Sequence, residues 1–194
     1  LGIPDRVFGP ESVLNYFTKK CIKTFTAKHG RQDIVLARHI FEHTYINRKE
    51  QVLSFLLSAL KVNKERVHAR KCQITHDNTD WFLDKYHIQG AGTATTKYFN
   101  LVYNNEVVGC MTAGVHHEKG GDKTACILNR LVFKKDVTVS GGSSKLFKHF
   151  KDWAKEQGFK QIISWSDNSI TDGNIYKVLG FTLTQEHGPG YFYF

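Results

Sequence analysis

No stretch of this chain approaches the roughly 18–20 consecutive apolar residues that a membrane-spanning helix needs, so a membrane partner is not expected. Its beginning, Leu1-Gly2-Ile3-Pro4-Asp5, lacks the basic region and apolar stretch of a secretory signal. With Leu rather than Met in first place, a trimmed N-terminus is expected. Cysteine is scarce: Cys21, Cys72, Cys110 and Cys126 lie far apart and form no C-x-x-C pair. They read as buried thiols of a cytoplasmic protein rather than as two disulfides. The pairs His39/His43, His76/His87 and His116/His117 have no second cluster at finger-like spacing, so no metal is expected. No internal repeat or low-complexity tract occurs, which excludes a repeat architecture.

What is present suffices for a core. Of 194 residues, 41% are hydrophobic and 13% aromatic, which fits one large domain or one domain with an appendage. The formal charge of +9 is uneven. Residues 1–71 hold 14 Lys and Arg against 6 Asp and Glu, a balance of +8, and residues 72–194 carry the remaining +1. Basic residues concentrated in one part of a chain point to nucleic acid, although a solvated basic surface has the same composition. Residues 1–71 are accordingly read as a small basic strand-helix appendage and residues 72–194 as the main domain. Lys61, Lys64, Arg66, Arg70 and Lys71, at the end of the appendage, are the candidate DNA contacts.

Along the chain, residues 11–28 place Val13, Leu14, Phe17, Cys21, Ile22 and Phe25 on one helical face, and residues 33–41 are β-like. Asn47 is expected to cap a helix whose stripe of Val52, Leu53, Phe55, Leu56, Leu57 and Leu60 ends near Lys61. Residues 63–71 read as a charged connector, and residues 79–86 as a helix. Strands are expected over 97–103 and 106–114 around a two-residue Asn104-Asn105 turn, then over 125–133 and 160–165. Residues 182–185 and 191–194 read as a closing hairpin. Helices on both sides of a mixed, mostly antiparallel sheet give an α/β (α+β) fold.

Residues 138–181 are the most informative part. They read as a strand end, a Gly/Ser turn, an amphipathic helix, a strand, and a short helix closed by Leu179-Gly180-Phe181. A Gly-rich turn opening a helix presents free backbone N–H groups at the positive end of the helix dipole, which suits a phosphate. A plain helix start capped by Ser140 or Ser143 has the same composition and needs no ligand. The order of elements, the helix run from Lys145-Leu146-Phe147 to Gly158-Phe159, and Ile175-Tyr176-Lys177-Val178-Leu179-Gly180-Phe181 together resemble the acyl-CoA-binding half of the GNAT family of N-acetyltransferases. Gly141 fits the first glycine of that family's Q/R-x-x-G-x-G/A loop, Ser143 replaces the second, and Thr138 stands in place of Gln or Arg.

The resemblance implies a GNAT-like fold and an acetyl-CoA or related acyl-CoA cofactor. Gly141, Gly142, Ser143, Ser144 and Lys145 would cradle its pyrophosphate, and Leu131, Val132 and Phe133 would pair with its pantetheine arm. It also implies that Tyr176 is the general acid that protonates the departing thiolate, although a core or rim aromatic fits the same position. Family members often carry a basic Glu on the strand before the loop. Here that strand reads Cys126-Ile127-Leu128-Asn129-Arg130-Leu131, without a carboxylate. His116, His117, Glu118 and Asp122 on the preceding loop are the available bases, with His116 the candidate. Asn168, in the polar run Asp167-Asn168-Ser169, is a candidate to face the substrate, although turn formation explains the same run.

A second resemblance covers Ile40-Phe41-Glu42, Arg48-Lys49-Glu50-Gln51-Val52 and Arg66-Val67-His68-Ala69-Arg70-Lys71-Cys72-Gln73-Ile74. These look like a group of phage proteins in which a nuclease domain similar to the very-short-patch-repair endonucleases precedes an acetyltransferase-like domain. About 30 residues precede the strand at 33–41, without a recognisable carboxylate set, which implies a nuclease remnant rather than a nuclease. Glu42 and His43 read as a surface pair at a strand end. The expectation is a phage-type acyltransferase of the bacterial host's cytoplasm that acts on or at DNA. A non-catalytic DNA-binding module, or the targeting part of a homing-type endonuclease, would share these features.

Overall fold

A computed structural model describes residues 40, 42–60, 63–115, 122–167 and 173–186. They fall into two compact units, one spanning Glu42–Trp165 and the other taking in the described residues from Ser166 onward.

The first unit opens with two helices, α1 (Glu42–Asn47) and α2 (Lys49–Ala59). The expected strand end at Glu42 and helix cap at Asn47 are both overturned. The Arg48 N–H donates to the Thr44 carbonyl (2.8 Å), so helical bonding reaches back through Asn47, and Arg48 takes the cap position. The expected strand at 33–41 and helix at 11–28 lie outside the described residues, apart from Ile40.

Residues 63–71, expected to be a connector, contain strand β1 (Glu65–His68) and a 3-10 turn (Ala69–Lys71). Only Val67 of β1 is buried, so the segment lacks a strand's usual apolar signal. Its pairing comes from far along the chain. β2 (Gln73–Thr75) and α3 (Asp80–Tyr86) follow. β3 (Thr95–Tyr103) and β4 (Glu106–Val115) form the expected hairpin, with Asn104 and Asn105 at φ 49° and 62°, as a type I′ turn demands. β5 (Ala125–Phe133), β6 (Val137–Ser140), α4 (Gly142–Glu156) and β7 (Gln161–Ile163) complete the unit.

Five strands form one mixed sheet in the order β2-β3-β4-β5-β7, antiparallel except for the parallel β5–β7 pair. β1 and β6 form a separate parallel ribbon. Side chains alternate across a strand, and the alternation separates the helices onto opposite faces. Phe99 of β3 stacks on Phe150 of α4, with centroids 5.5 Å apart, whereas its neighbour Asn100 bonds Thr79 at the start of α3. The fold is therefore the mixed, mostly antiparallel sheet with flanking helices that the sequence indicates.

The second unit holds α5 (Asn174–Leu179), set between Gly173 at φ 70° and Gly180 at φ 86°. Residues 181–186 form no strand, so the first arm of the expected closing hairpin is absent. Its second arm, 191–194, lies outside the described residues.

Candidate active site

β5 is paired differently on its two sides. β4 accompanies it to Phe133, but β7 pairs with it only at Ala125, Cys126 and Ile127. Beyond that point Ser164 Oγ donates to the Leu128 carbonyl (2.9 Å), and no described strand follows β5 further on that side. The Lys134 N–H donates to the Val108 carbonyl, so by antiparallel alternation Val132 also directs its N–H and C=O to β4. The backbone groups of Leu131 and Phe133 consequently face the open side. An extended, amide-bearing ligand can bond there as an added strand.

This open edge ends against the start of α4. A Cβ on Gly142 would lie 2.6 Å from Phe133 Cε1, and one on Gly109 2.7 Å from Phe133 Cδ1, so the ring is held between two glycines. Gly141, at φ 76°, takes the cap position and provides no side-chain bond. Lys145 N–H donates to the Gly141 carbonyl, which leaves the N–H groups of Gly142, Ser143 and Ser144 without helical acceptors. These three donors and the open β5 edge fit a pyrophosphate joined to an amide-rich arm, and thus fit acyl-CoA.

The β1 arm is fastened beside this turn. Asn63 Nδ2 donates to Thr138 Oγ1 (3.0 Å) and Arg66 Nε to Ser140 Oγ (2.9 Å). Lys145 Nζ donates to the carbonyls of Ala69 (3.1 Å) and Cys72 (2.6 Å). Lys145 thus contributes its backbone to the turn, while its side chain braces the arm. Arg66, read from sequence as a DNA contact, aligns with Thr138, the position where the family resemblance expects Gln or Arg. The alternation of β1 against β6 is the only signal that bears on this placement, and one buried side chain makes it weak.

Other candidates divide. Lys64, Arg70 and Lys71 are exposed on the arm. Asp122, considered as a base, is a turn staple: Oδ1 accepts from Thr124 Oγ1 (2.7 Å) and N–H (2.8 Å), and Oδ2 from Gln161 Nε2 (2.8 Å). The Thr124 bonds hold its carboxyl below the usual range, and it precedes β5 at the end away from the Gly turn. Tyr176, in the second unit, is half-buried and edge-on to Phe181 at 5.5 Å. Lys61, His116 and Asn168 lie outside the described residues.

His87, weighed from sequence only as one of a histidine pair with His76, lies on the loop after α3. Desolvation, then the charges of Arg130 and Arg48, push its imidazole down to about 3, which makes it neutral and too weakly basic for proton abstraction near neutrality. Burial pushes the thiols of Cys110 and Cys126 up to about 11 and raises that of Cys72, and all three are free. Among the described residues no three His, Cys, Asp or Glu side chains gather as a metal set, and no helix is long and apolar enough to cross a membrane.

With this geometry in view, the model of the acetyltransferase (GNAT) family matches residues 63–181, more than half of the chain, and the chain belongs to that family. Acyl transfer from an acyl-CoA to an amine is the activity class that goes with it. Similar solved structures include an aminoglycoside N-acetyltransferase AAC(6')-Iy in complex with CoA (19% identity, 62% of this chain and 97% of that chain, TM-score 0.45). An integron cassette protein from the mobile metagenome of V. cholerae is similar at 14% identity, over 63% and 93%, with TM-score 0.49. So is an aminoglycoside acetyltransferase from an uncultured soil metagenomic sample in complex with sisomicin, at 14%, over 77% and 90%, with TM-score 0.44. No curated protein sequence matches the chain.

Proposed function

We propose that the protein transfers an acyl group from acyl-CoA to an amine carried on, or held at, nucleic acid. The observation that supports the donor half is the open edge of β5 running into the uncapped start of α4. When bound, acyl-CoA supplies the thioester-activated acyl group. The N–H groups of Gly142, Ser143 and Ser144 bind its pyrophosphate, and Leu131 and Phe133 orient its arm by strand-like bonds. Tyr176 Oη is the proton donor to the leaving sulfur, His116 the base for the amine, and Asn168 an acceptor-facing group.

The nucleic-acid half rests on the charge of the first 71 residues and on the exposed Lys64, Arg70 and Lys71, with Lys61 and Arg66 close to them in sequence. Contacts of this kind are made to phosphates and are largely blind to sequence. A phage setting inside a bacterial cytoplasm, with a nuclease-like remnant ahead of the transferase, belongs to the same proposal and rests on the motifs at 40–42, 48–52 and 66–74. A non-catalytic DNA-binding or homing-endonuclease-targeting role is favoured by Ser143 in the second glycine position and by the absence of a carboxylate on β5.

Thermal melts decide between the two readings. Acetyl-CoA at about 100 times its Kd stabilises by about 2.7 kcal/mol, and the absence of any shift at millimolar cofactor sinks the transferase. DNA retention should fall with salt at a log–log slope of about −0.9 per phosphate neutralised. Charge reversal of Lys64, Arg70 and Lys71 should flatten that slope, and an unchanged slope removes this face as the DNA site.

A further inference from the structure

We propose that Arg66 is a donor-binding residue whose guanidinium, fixed by Ser140 beside the Gly turn, binds a phosphate of acyl-CoA. This rests on the acyl-CoA reading above and assigns Arg66 to the donor rather than to DNA.

In the parallel ribbon Arg66 aligns with Thr138 and His68 with Ser140, on the side opposite to the buried Val67, Val137 and Val139. Its Nε donates to Ser140 Oγ at 2.9 Å, and Ser140 is the residue directly before Gly141. That bond uses one of the five guanidinium N–H groups and fixes the plane of the fork. Among the described residues neither η nitrogen has another partner, so both can grip phosphate oxygens in the two-pronged manner that suits arginine. Among the described residues no carboxylate neutralises it: the ion pairs there are Lys134 with Glu106 and Lys135 with Glu50.

The arm that carries Arg66 is tied to the cradle. Asn63 bonds Thr138 ahead of β1. After β1, Lys145 reaches out of the first turn of α4 to the carbonyls of Ala69 and Cys72. A Cβ on Gly141 would lie 3.8 Å from that of Ala69, so the 3-10 turn borders the glycine itself. A pyrophosphate on the α4 amides therefore has at its flank a pre-oriented guanidinium with no ion-pair partner among the described residues. β6 has no cation of its own among Val137, Thr138, Val139 and Ser140, and β1 supplies the charge from the adjacent strand.

Calorimetric Kd values for CoA, 3′-dephospho-CoA and pantetheine test this on the full chain, comparing wild type with Arg66→Gln and Ser140→Ala. Loss of a charge-assisted phosphate contact predicts CoA binding weakened by about tenfold to a hundredfold in R66Q, with a smaller loss in S140A. Pantetheine, which has no phosphate, should bind both variants like wild type. An equal loss for CoA and dephospho-CoA assigns the contact to the pyrophosphate; a loss for CoA alone assigns it to the ribose 3′-phosphate. R66Q that melts like the wild type and binds CoA unchanged overturns the assignment, as does R66Q that keeps CoA but loses DNA retention. Wild type that binds no CoA at all removes the acyl-CoA reading first.

Discussion

The two faces of the five-stranded sheet are built by different means. Under α4 the packing is dry and aromatic: Phe99 lies 5.5 Å from Phe150 and 5.9 Å from Trp153, with Leu146 and Met111 fully buried alongside. Under α3 the apolar cluster of Phe82, Leu83 and Cys110 is joined by a polar network. Thr79 Oγ1 donates to Asn100 Oδ1 (2.8 Å), Asn100 Nδ2 donates to the Asp77 carbonyl (2.9 Å), and the Tyr98 hydroxyl donates to Asp80 (2.8 Å). The Tyr98 phenol and the Cys110 thiol there stay neutral, chiefly because burial disfavours their charge. The Tyr98 phenol is pushed up to about 12 by desolvation and by its bond to Asp80, and the Cys110 thiol to about 11. Both faces thus gain stability from area removed from water, and the α3 face adds a hydrogen-bond network to it.

The sharpest way to break this comparison is to empty the dry face. Phe150 is fully buried, so Phe150→Ala should cost about 3–5 kcal/mol in urea unfolding at constant m. A cost below 1 kcal/mol would mean that α4 is not the keystone of its face. On the α3 face Asn100→Leu should cost about 1–3 kcal/mol, because it strands the Asp77 carbonyl and leaves the Thr79 hydroxyl only the Cys110 thiol. Adding Thr79→Val should recover part of that loss, since it removes the hydroxyl that Asn100→Leu leaves under-bonded. Additive losses in the double-mutant cycle would deny the coupling.

The same contrast explains what was legible in the sequence. α4 repeats its apolar residues at Leu146, Phe147, Phe150 and Ala154, a helical stripe that dry burial demands, and it is read correctly. β3, β4 and the Asn104-Asn105 turn are legible for a similar reason: long apolar strands flank residues suited to positive φ. β1 is illegible because one buried Val67 carries no period, and its partner β6 lies some seventy residues on. The Gly turn shows its own chemistry, but Arg66 reaches it only through tertiary pairing, so its charge reads as part of a basic run. α1 is missed because its six residues have no stripe and continue into α2 through Arg48.

Acid should separate the faces more gently. Unfolded His87 takes up a proton below about pH 6.5, while in the fold it stays neutral down to about 3. The unfolded state therefore binds more protons across that window, and stability must fall as the pH falls through it. With allowance for solvent at a half-buried ring, the loss should be about 1 kcal/mol by pH 5. His87→Gln should flatten this part of the urea-derived stability profile relative to wild type. An unchanged profile would show that the ring protonates freely in the folded state.

The smallest expected effect bears most directly on what the polar face requires. Thr112 is fully buried on β4, and among the described residues its Oγ1 has no hydrogen-bond partner. It lies on the same side of β4 as Cys110, whose thiol is bonded to Thr79, so the network passes close by without including it. A buried hydroxyl that bonds nothing carries its desolvation cost uncompensated. Val has nearly the same shape and removes that cost, so Thr112→Val should raise stability by about 0.5–1 kcal/mol in urea titration. The Asn100 network should lose stability under an apolar swap, and Thr112 should gain it. If T112V instead destabilises by 1 kcal/mol or more, the hydroxyl is bonded in solution, and the polar face is satisfied throughout rather than tolerating one orphan.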